Sequence, residues 1–276
     1  MPADLHIHTY FSDGSESPEA VVELAKKAGL TAIAITDHDV VSGIERAAAR
    51  GRELGLEVIP GIEFTTEAYD SEIHILGYFI DIKEPRLLEK ISRMQKGREE
   101  RVFKICEKLK ELGAPVDPEK VFTLAGHRAA GRPHVARALI EAGHVRNFRE
   151  AFNKYLAFHS PAYVSHYKLM PTEAVELIGQ AKGLAVYGHP AVSACDGIVP
   201  ELASAGLAGI EVYYSGHDES QTKHYEELAR KHGLLMTGGS DFHGSNGGRE
   251  INLGDIMLPD DLLARLKDEH LRRNRS

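Results

Sequence analysis

Short apolar runs alternate with helical patterns along most of the chain, and this alternation limits the folds that it can adopt. The runs Ala3–His8, Ala32–Thr36 and Val58–Glu63 have the length and composition of buried strands, and a helix is predicted over Gly43–Leu54 between the second and third. Strands that alternate with helices predict parallel βαβ units. About seven such strands fit either a parallel barrel or a doubly wound sheet.

A helical stretch interrupts this alternation near the middle of the chain. A long charged helix is predicted over Pro85–Leu112, and the segments GRPHVARALIEAG and NFREAFNKYL follow it. The alternation resumes with a helix over Pro171–Lys182 and a strand over Leu184–His189. We therefore expect a barrel formed by residues 1–83 and 162–276, with residues 84–161 as a helical insertion that caps the active site.

Polar residues capable of chemistry follow nearly every predicted strand. A parallel barrel places such residues together, because the carboxyl ends of its strands meet at one rim. A doubly wound sheet would concentrate them at one switch point instead, so we favour the barrel. The predicted strand ends carry His6 and His8, Asp37 and His38, Glu63, His189, and Asp241 and His243.

The composition indicates metal ligands with nitrogen and oxygen donors. The 276 residues include 15 His but only two Cys, Cys106 and Cys195, which are too few for a disulfide framework or a zinc knuckle. His6 and His8 lie two apart in a strand, so both imidazoles face the same side and can share one ion. An unpaired Glu63 at a strand end would be costly, and a carboxylate that bridges two cations removes this cost.

Charge and hydropathy exclude several other classes of protein. The net charge of −8 argues against a broad grip on long nucleic acid, which requires a basic face. No apolar run approaches the roughly 20 residues that a membrane span needs. The N-terminus lacks the basic and apolar regions of a signal peptide, and the low cysteine content favours a reducing compartment. We expect a cytoplasmic enzyme without a membrane partner.

Six motifs in a fixed order resemble the PHP family (polymerase and histidinol phosphatase): LHIHTYFSDG, ITDHD, GIEF, a lone His in the fourth strand, GHP and GSDFH. The resemblance spans essentially the whole chain and implies a distorted (β/α)7 barrel with three divalent ions, which could be Mn, Zn or Fe. Asp13 stands where some members have His, which bears on metal preference. The implied ligand sets are His6, His8, Glu63 and Asp241 for one ion, Glu63, His74 and His189 for a second, and Asp13, His38 and His243 for a third.

The helical insertion resembles one branch of that family, which contains nucleotide bisphosphate phosphatases and short-RNA 5′ exonucleases. The resemblance implies that Arg132 and His134 bind phosphate and that His166 completes the pocket. Gly131 and Pro133 flank Arg132 and mark a helix start, where backbone N–H groups favour an anion. The planar guanidinium of Arg132 also suits phosphate oxygens.

The favoured hypothesis is a metal-dependent phosphoesterase that acts on a phosphomonoester, or a terminal phosphodiester, of a small nucleotide such as a 3′,5′-bisphosphonucleotide. Divalent ions would lower the pKa of a bound water, so that a hydroxide is present near neutral pH. His189, Asp37 and His134 are candidates for protonating the leaving oxygen. Three alternatives remain open: a 5′-3′ exonuclease on short RNA oligonucleotides, an amidohydrolase-like C–N or ester hydrolase, and a non-catalytic metal- or nucleotide-binding module.

Overall fold

The computed structural model describes residues 2–126, 130–165, 167–244 and 251–275. Within these ranges, seven strands form one mixed sheet whose spatial order follows the sequence, β1 to β7. The strands are β1 (Ala3–Asp4), β2 (Ala32–Ile35), β3 (Glu57–Ala68), β4 (Ser71–Tyr78), β5 (Leu184–Tyr187), β6 (Gly209–Tyr214) and β7 (Leu235–Gly239).

The two edges of the sheet meet and nearly close it into a barrel. The backbone N–H of Leu5 donates to the carbonyl of Gly238 (3.2 Å), and the N–H of His8 donates to the carbonyl of Phe242 (2.9 Å). The first strand was expected to reach His8, but regular pairing ends at Asp4 and only an isolated bridge follows. The distorted (β/α)7 barrel is confirmed.

The fourth strand runs against its neighbours. Both β3–β4 and β4–β5 are antiparallel, whereas the other neighbouring pairs among the described strands are parallel. Tyr69 and Asp70, with φ of 53° and 57°, make the two-residue turn between β3 and β4. The prediction of parallel βαβ units is therefore wrong for β4, because a tight turn replaces the helix. His74, opposite Thr65, consequently lies at the rim formed by the carboxyl ends of the parallel strands.

Eleven α-helices occur in the described residues, and side chains cap several of them. The hydroxyl of Ser17 accepts a hydrogen bond from the backbone of Ala20, as expected for the N-cap of α1. A short π-helical segment, Phe152–Leu156, follows α6. The helices are α1 (Pro18–Lys27), α2 (Ile44–Leu54), α3 (Pro85–Glu111), α4 (Pro118–Ala125), α5 (Arg132–Glu141), α6 (Phe148–Ala151), α7 (Pro171–Gln180), α8 (Pro190–Ser193), α9 (Val199–Ser204), α10 (Glu219–His232) and α11 (Asp260–Arg273).

The strands are buried on both faces, which explains their unbroken apolar runs. In β2, Ala32 and Ala34 belong to a cluster that contains Tyr78. The alternate residues Ile33 and Ile35 belong to a second cluster that includes residues of α1 and α2. Burial on both faces is typical of parallel strands covered by helices.

The chain divides into two compact units. One consists of residues 1–89 and 168–276 and contains the barrel, and the other consists of residues 90–167. The second unit has its own hydrophobic core, in which Leu109, Val121, Val135, Leu139 and Leu156 are buried. Across the described part of the chain, no helix combines the length and apolar character that crossing a membrane requires.

Candidate metal centre

The nine predicted ligands lie together at one rim of the barrel. Their side chains form four overlapping groups, and within each group one donor atom per residue lies within 4.8 Å of the others. Since several residues belong to two groups, the four groups make one continuous cluster. The groups are His8, Asp13, His38 and His243; His6, His8 and Asp241; His6, Glu63 and His189; and His38, Glu63 and His74.

Glu63 lies at the centre of this cluster, and its side chain is buried. Its Oε1 atom is 2.7 Å from Nδ1 of His74 and 3.0 Å from Nε2 of His189. Its Oε2 atom is 3.1 Å from Nε2 of His6 and 3.0 Å from Nε2 of His8. The two oxygens therefore face different sets of imidazoles, which is the arrangement that a carboxylate bridging two cations requires.

Two aspartates lie at the edges of the cluster. Asp241 Oδ1 is 3.2 Å from Nε2 of His8, and the hydroxyl of Tyr214 donates to its other oxygen at 3.0 Å. Asp13 lies 3.2 Å from Nε2 of His243 and 3.8 Å from Nε2 of His38. The Asp13 side chain is 51% exposed, so this part of the cluster is the more open to solvent.

A glycine allows β7 to approach the segment that follows β1 closely enough to bring Asp241 to this cluster. A Cβ atom on Gly239 would lie 2.4 Å from both the backbone nitrogen and the Cβ of His6. Any larger residue would push the strands apart. The GS dipeptide before Asp241 is therefore part of the geometry of the centre, and the role of Gly239 is steric.

Asp37 contacts the loop that carries Asp13. Its carboxylate accepts hydrogen bonds from the backbone and hydroxyl of Thr9 and from the hydroxyl of Ser12, all at 2.7 Å. Burial is the main cause of a raised pKa for Asp37. The contacts favour a role in holding this loop, and its role as a proton donor stays a prediction.

The carboxylates of the cluster attract positive charge to the imidazoles. Burial opposes protonation of His8, but Asp241 and Glu63 outweigh it and raise its pKa to about 10. Glu63 and Glu72 outweigh burial in the same way and raise the pKa of His74 to about 10. Although burial opposes it, the surrounding imidazoles hold the pKa of Glu63 well below its usual value. The ionised carboxylates of the cluster thus carry the negative charge that divalent cations would balance.

The donor set fits divalent metals. Every member is an imidazole nitrogen or a carboxylate oxygen, and neither Cys106 nor Cys195 belongs to a group. Burial lowers the pKa of His38 to about 3, which keeps this imidazole neutral and able to offer a lone pair. Such donors suit Mn, Zn and Fe.

Glu211 contacts two of the predicted ligands, and the sequence reasoning missed it. One carboxylate oxygen lies 2.9 Å from Nδ1 of His6, and the other accepts a hydrogen bond from the backbone N–H of His189 at 2.7 Å. A single acidic residue inside the apolar strand GIEVYY was the available signal. Such a carboxylate is costly to bury without partners.

The predicted phosphate-binding residues lie in the second unit or outside the described residues. Arg132 is the first residue of α5, and its guanidinium lies 5.8 Å from the ring centre of Tyr163. The imidazole of His134 accepts a hydrogen bond from the backbone of Gly131 at 3.2 Å. His166 lies outside the described residues. The roles of these three residues in binding substrate stay predictions.

A (β/α) barrel whose rim carries a continuous cluster of imidazoles and carboxylates is typical of metal-dependent enzymes. The family model for the PHP domain matches residues 4–164, so the chain belongs to the PHP family. This assignment agrees with the motifs in the sequence and with the topology of the sheet. The protein is a metal-dependent phosphoester hydrolase.

Three relatives cover most of their own length and of this chain. The 3′,5′-nucleoside bisphosphate phosphatase of Chromobacterium violaceum is 32% identical over 93% of this chain and 92% of its own. The 5′-3′ exoribonuclease Rnm of Escherichia coli is 34% identical over 87% of this chain and 84% of its own length. A solved structure from Bifidobacterium adolescentis, described as that of a metal-dependent phosphoesterase, has a TM-score of 0.84 at 30% identity and covers 98% of this chain and 96% of its own.

Proposed function

We propose that the protein hydrolyses a phosphomonoester of a small nucleotide and that its substrates are 3′,5′-bisphosphonucleotides. The observation that carries this proposal is the position of Glu63, whose two oxygens face different sets of imidazoles at a barrel rim. The C. violaceum relative, named for 3′,5′-nucleoside bisphosphate phosphatase activity, supports the substrate class.

The proposal includes three divalent ions, of Mn, Zn or Fe, held by the nine clustered side chains. When bound, such ions activate water and stabilise negative charge on phosphoryl oxygens. Glu63 would contribute to two of the ligand sets, and Asp13, His38 and His243 would form the third. The neutral imidazole of His38 suits this role because it needs no deprotonation before it binds.

The leaving oxygen needs a proton, and three side chains remain candidates. His189 lies at the rim within the cluster, 3.0 Å from Glu63. Asp37 is buried and already accepts three hydrogen bonds, which makes it the less accessible donor. His134 belongs to the helical unit and is proposed both to bind phosphate and to serve as a possible donor.

We also propose that the helical segment, residues 84–161, selects the substrate. Arg132 begins α5 after Gly131, so its guanidinium and its own backbone N–H suit an anion. His134 and His166 complete the proposed phosphate-binding set. This assignment rests on the motif and on the helix start.

A second candidate function is removal of nucleotides from the 5′ end of short RNA. The E. coli relative, named as a 5′-3′ exoribonuclease, is 34% identical to this chain. The same cluster can serve either reaction, because both attack phosphorus with an activated water. The identity of the leaving group therefore distinguishes the two functions.

A substrate panel with Mn-loaded protein tests the proposal. We expect phosphate release from a 3′,5′-bisphosphonucleotide with a higher kcat/KM than from simple phosphomonoesters. The variant Glu63→Gln, purified in parallel, should be inactive and controls for contaminating phosphatases. Faster mononucleotide release from 5′-phosphorylated oligonucleotides would favour the second function. Cleavage of amides or carboxylic esters without any phosphate release would contradict both.

A further inference from the structure

Glu211 is a fully buried carboxylate in the middle of β6. It belongs to none of the four groups of candidate metal ligands in the described residues. Each of its oxygens has a separate partner at short distance: Nδ1 of His6 at 2.9 Å and the backbone N–H of His189 at 2.7 Å. One side chain therefore connects two residues of the cluster that lie far apart in sequence.

The contact with His6 decides which nitrogen of that ring faces the cluster. A neutral imidazole carries one N–H and one lone pair, and only the lone pair can bind a metal. Because a carboxylate accepts hydrogen bonds, Glu211 requires the N–H at Nδ1. The lone pair is then at Nε2, the atom 3.1 Å from Glu63.

The contact with His189 holds an unusual backbone conformation. His189 has φ 25° and ψ 62°, and L-residues rarely adopt a positive φ. Its N–H donates to Glu211, and in this conformation its ring reaches to 3.0 Å from Oε1 of Glu63. The carboxylate of Glu211 thus holds the His6 ring, which faces Oε2 of Glu63, and the backbone of His189, whose ring faces Oε1.

We propose that Glu211 is a positioning residue of the metal centre, because it holds the His6 ring and the His189 backbone at once. The resemblance implied that His6 and His189 hold different ions, and the structure places both with Glu63 in one group of candidate ligands. The inference rests on the proposed metal centre but not on the identity of the substrate. Residues that hydrogen-bond to metal ligands without binding the metal typically contribute about 10–100-fold to metal affinity.

The variant Glu211→Gln tests this role with little change in shape. Its amide offers one acceptor and one donor, whereas both neighbours of Glu211 are donors, so His6 or His189 loses its partner. Metal dissociation constants are measured for zinc by competition with a chromogenic chelator, without substrate. We expect two ions to bind roughly 10–100-fold more weakly, while the ion at Asp13, His38 and His243 keeps its affinity.

Two further variants separate positioning from general stability. Glu226 accepts a hydrogen bond from the hydroxyl of Tyr213, which lies on β6 as Glu211 does. Glu226 belongs to none of the groups of candidate metal ligands. Glu226→Gln should therefore retain the wild-type zinc constants and activity. Glu211→Asp keeps the charge and both acceptors and should partly restore the affinity lost in Glu211→Gln. Wild-type zinc constants in Glu211→Gln, or an equal loss at all ions, would overturn the proposal.

A measurement on the unaltered protein guards against a variant that fails to fold. Long-range ¹H–¹⁵N spectra of zinc-loaded protein report which nitrogen of each histidine carries a proton. We expect a protonated Nδ1 and a zinc-bound Nε2 for His6. Zinc on Nδ1 would overturn the inference. If the zinc constants behave as expected and no phosphoester is hydrolysed, the proposed function fails while the role of Glu211 stands.

Discussion

Replacing Gly239 with alanine tests how the close approach of β7 to His6 places the ligands. The new Cβ would lie 2.4 Å from the nitrogen and Cβ of His6, whereas ordinary contacts begin near 3.4 Å. The two strands must therefore separate by about 1 Å at this point. Overpacking of this kind typically costs about 1–3 kcal/mol, which corresponds to a fall in Tm of roughly 2–5 °C for a chain of this size.

The same displacement moves Asp241, two residues further along, relative to His6 and His8. Misplacement of reacting groups by 1 Å can cost on the order of 100-fold in rate. We therefore expect Gly239→Ala to lower both Tm and kcat/KM and to weaken metal binding. The assays are thermal unfolding of the metal-free protein, metal content and phosphate release.

Gly179→Ala is the matched control for this substitution. Gly179 lies in α7, and among the described residues no atom outside its own stretch of the helix comes within 4 Å of the position of an added Cβ. Alanine in a helix should stabilise by up to about 1 kcal/mol relative to glycine. Wild-type Tm and metal affinity in Gly239→Ala would refute the reasoning that the close approach of the strands places Asp241.

Four further predictions concern the cluster and the helical unit. The pKa of His8 and of His74 is about 10 in the folded metal-free protein against 6.5 ordinarily, so protonation stabilises the fold below about pH 6.5 and this contribution is lost as the pH rises to 10. Tm of metal-free protein should therefore fall over that window, and a flat or rising Tm would contradict this. Asp13→Ala should remove one ion while the others stay, as metal analysis can show. Arg132→Ala should lower kcat/KM for a bisphosphonucleotide without changing metal content, and metal loss would mean that its role is misassigned. Chelation should abolish phosphate release and Mn should restore it, whereas activity that survives complete metal removal would exclude the metal mechanism.

The polar residues at the strand ends were predictable because titratable side chains rarely follow a buried apolar strand for packing alone. Apolar runs such as AIAI lead directly into Asp37 and His38, and a buried strand has no packing reason to end in this way. The HxH pair at His6 and His8 adds a spacing that places both rings on one face. These polar strand ends predicted the barrel, and the six motifs in order carried the resemblance to the PHP family.

The direction of β4 was not predictable from the same pattern. The turn at Tyr69 and Asp70 needs a positive φ at both positions, yet neither residue is a glycine or asparagine that would mark it. The apolar runs on either side are compatible with parallel or antiparallel pairing. His74 was still identified, because the resemblance placed a lone histidine in the fourth strand.

The role of Glu211 was also hidden, for a different reason. One glutamate in an apolar strand is compatible with many partners, and only the fold brings β6 beside His6 and His189. Which nitrogen of an imidazole faces the cluster depends on such partners across the barrel. Contacts between residues about 200 positions apart cannot be read from local pattern.

The central claim is that the clustered side chains bind divalent ions and that these ions support phosphoester hydrolysis. A titration of metal-free protein with Mn tests it most directly, with bound metal per chain and phosphate release from a 3′,5′-bisphosphonucleotide measured in the same samples. We expect phosphate release to rise with bound metal and to level off at up to three ions per chain. Folded protein that binds no Mn, or that binds it without releasing phosphate from any phosphoester, would contradict the claim.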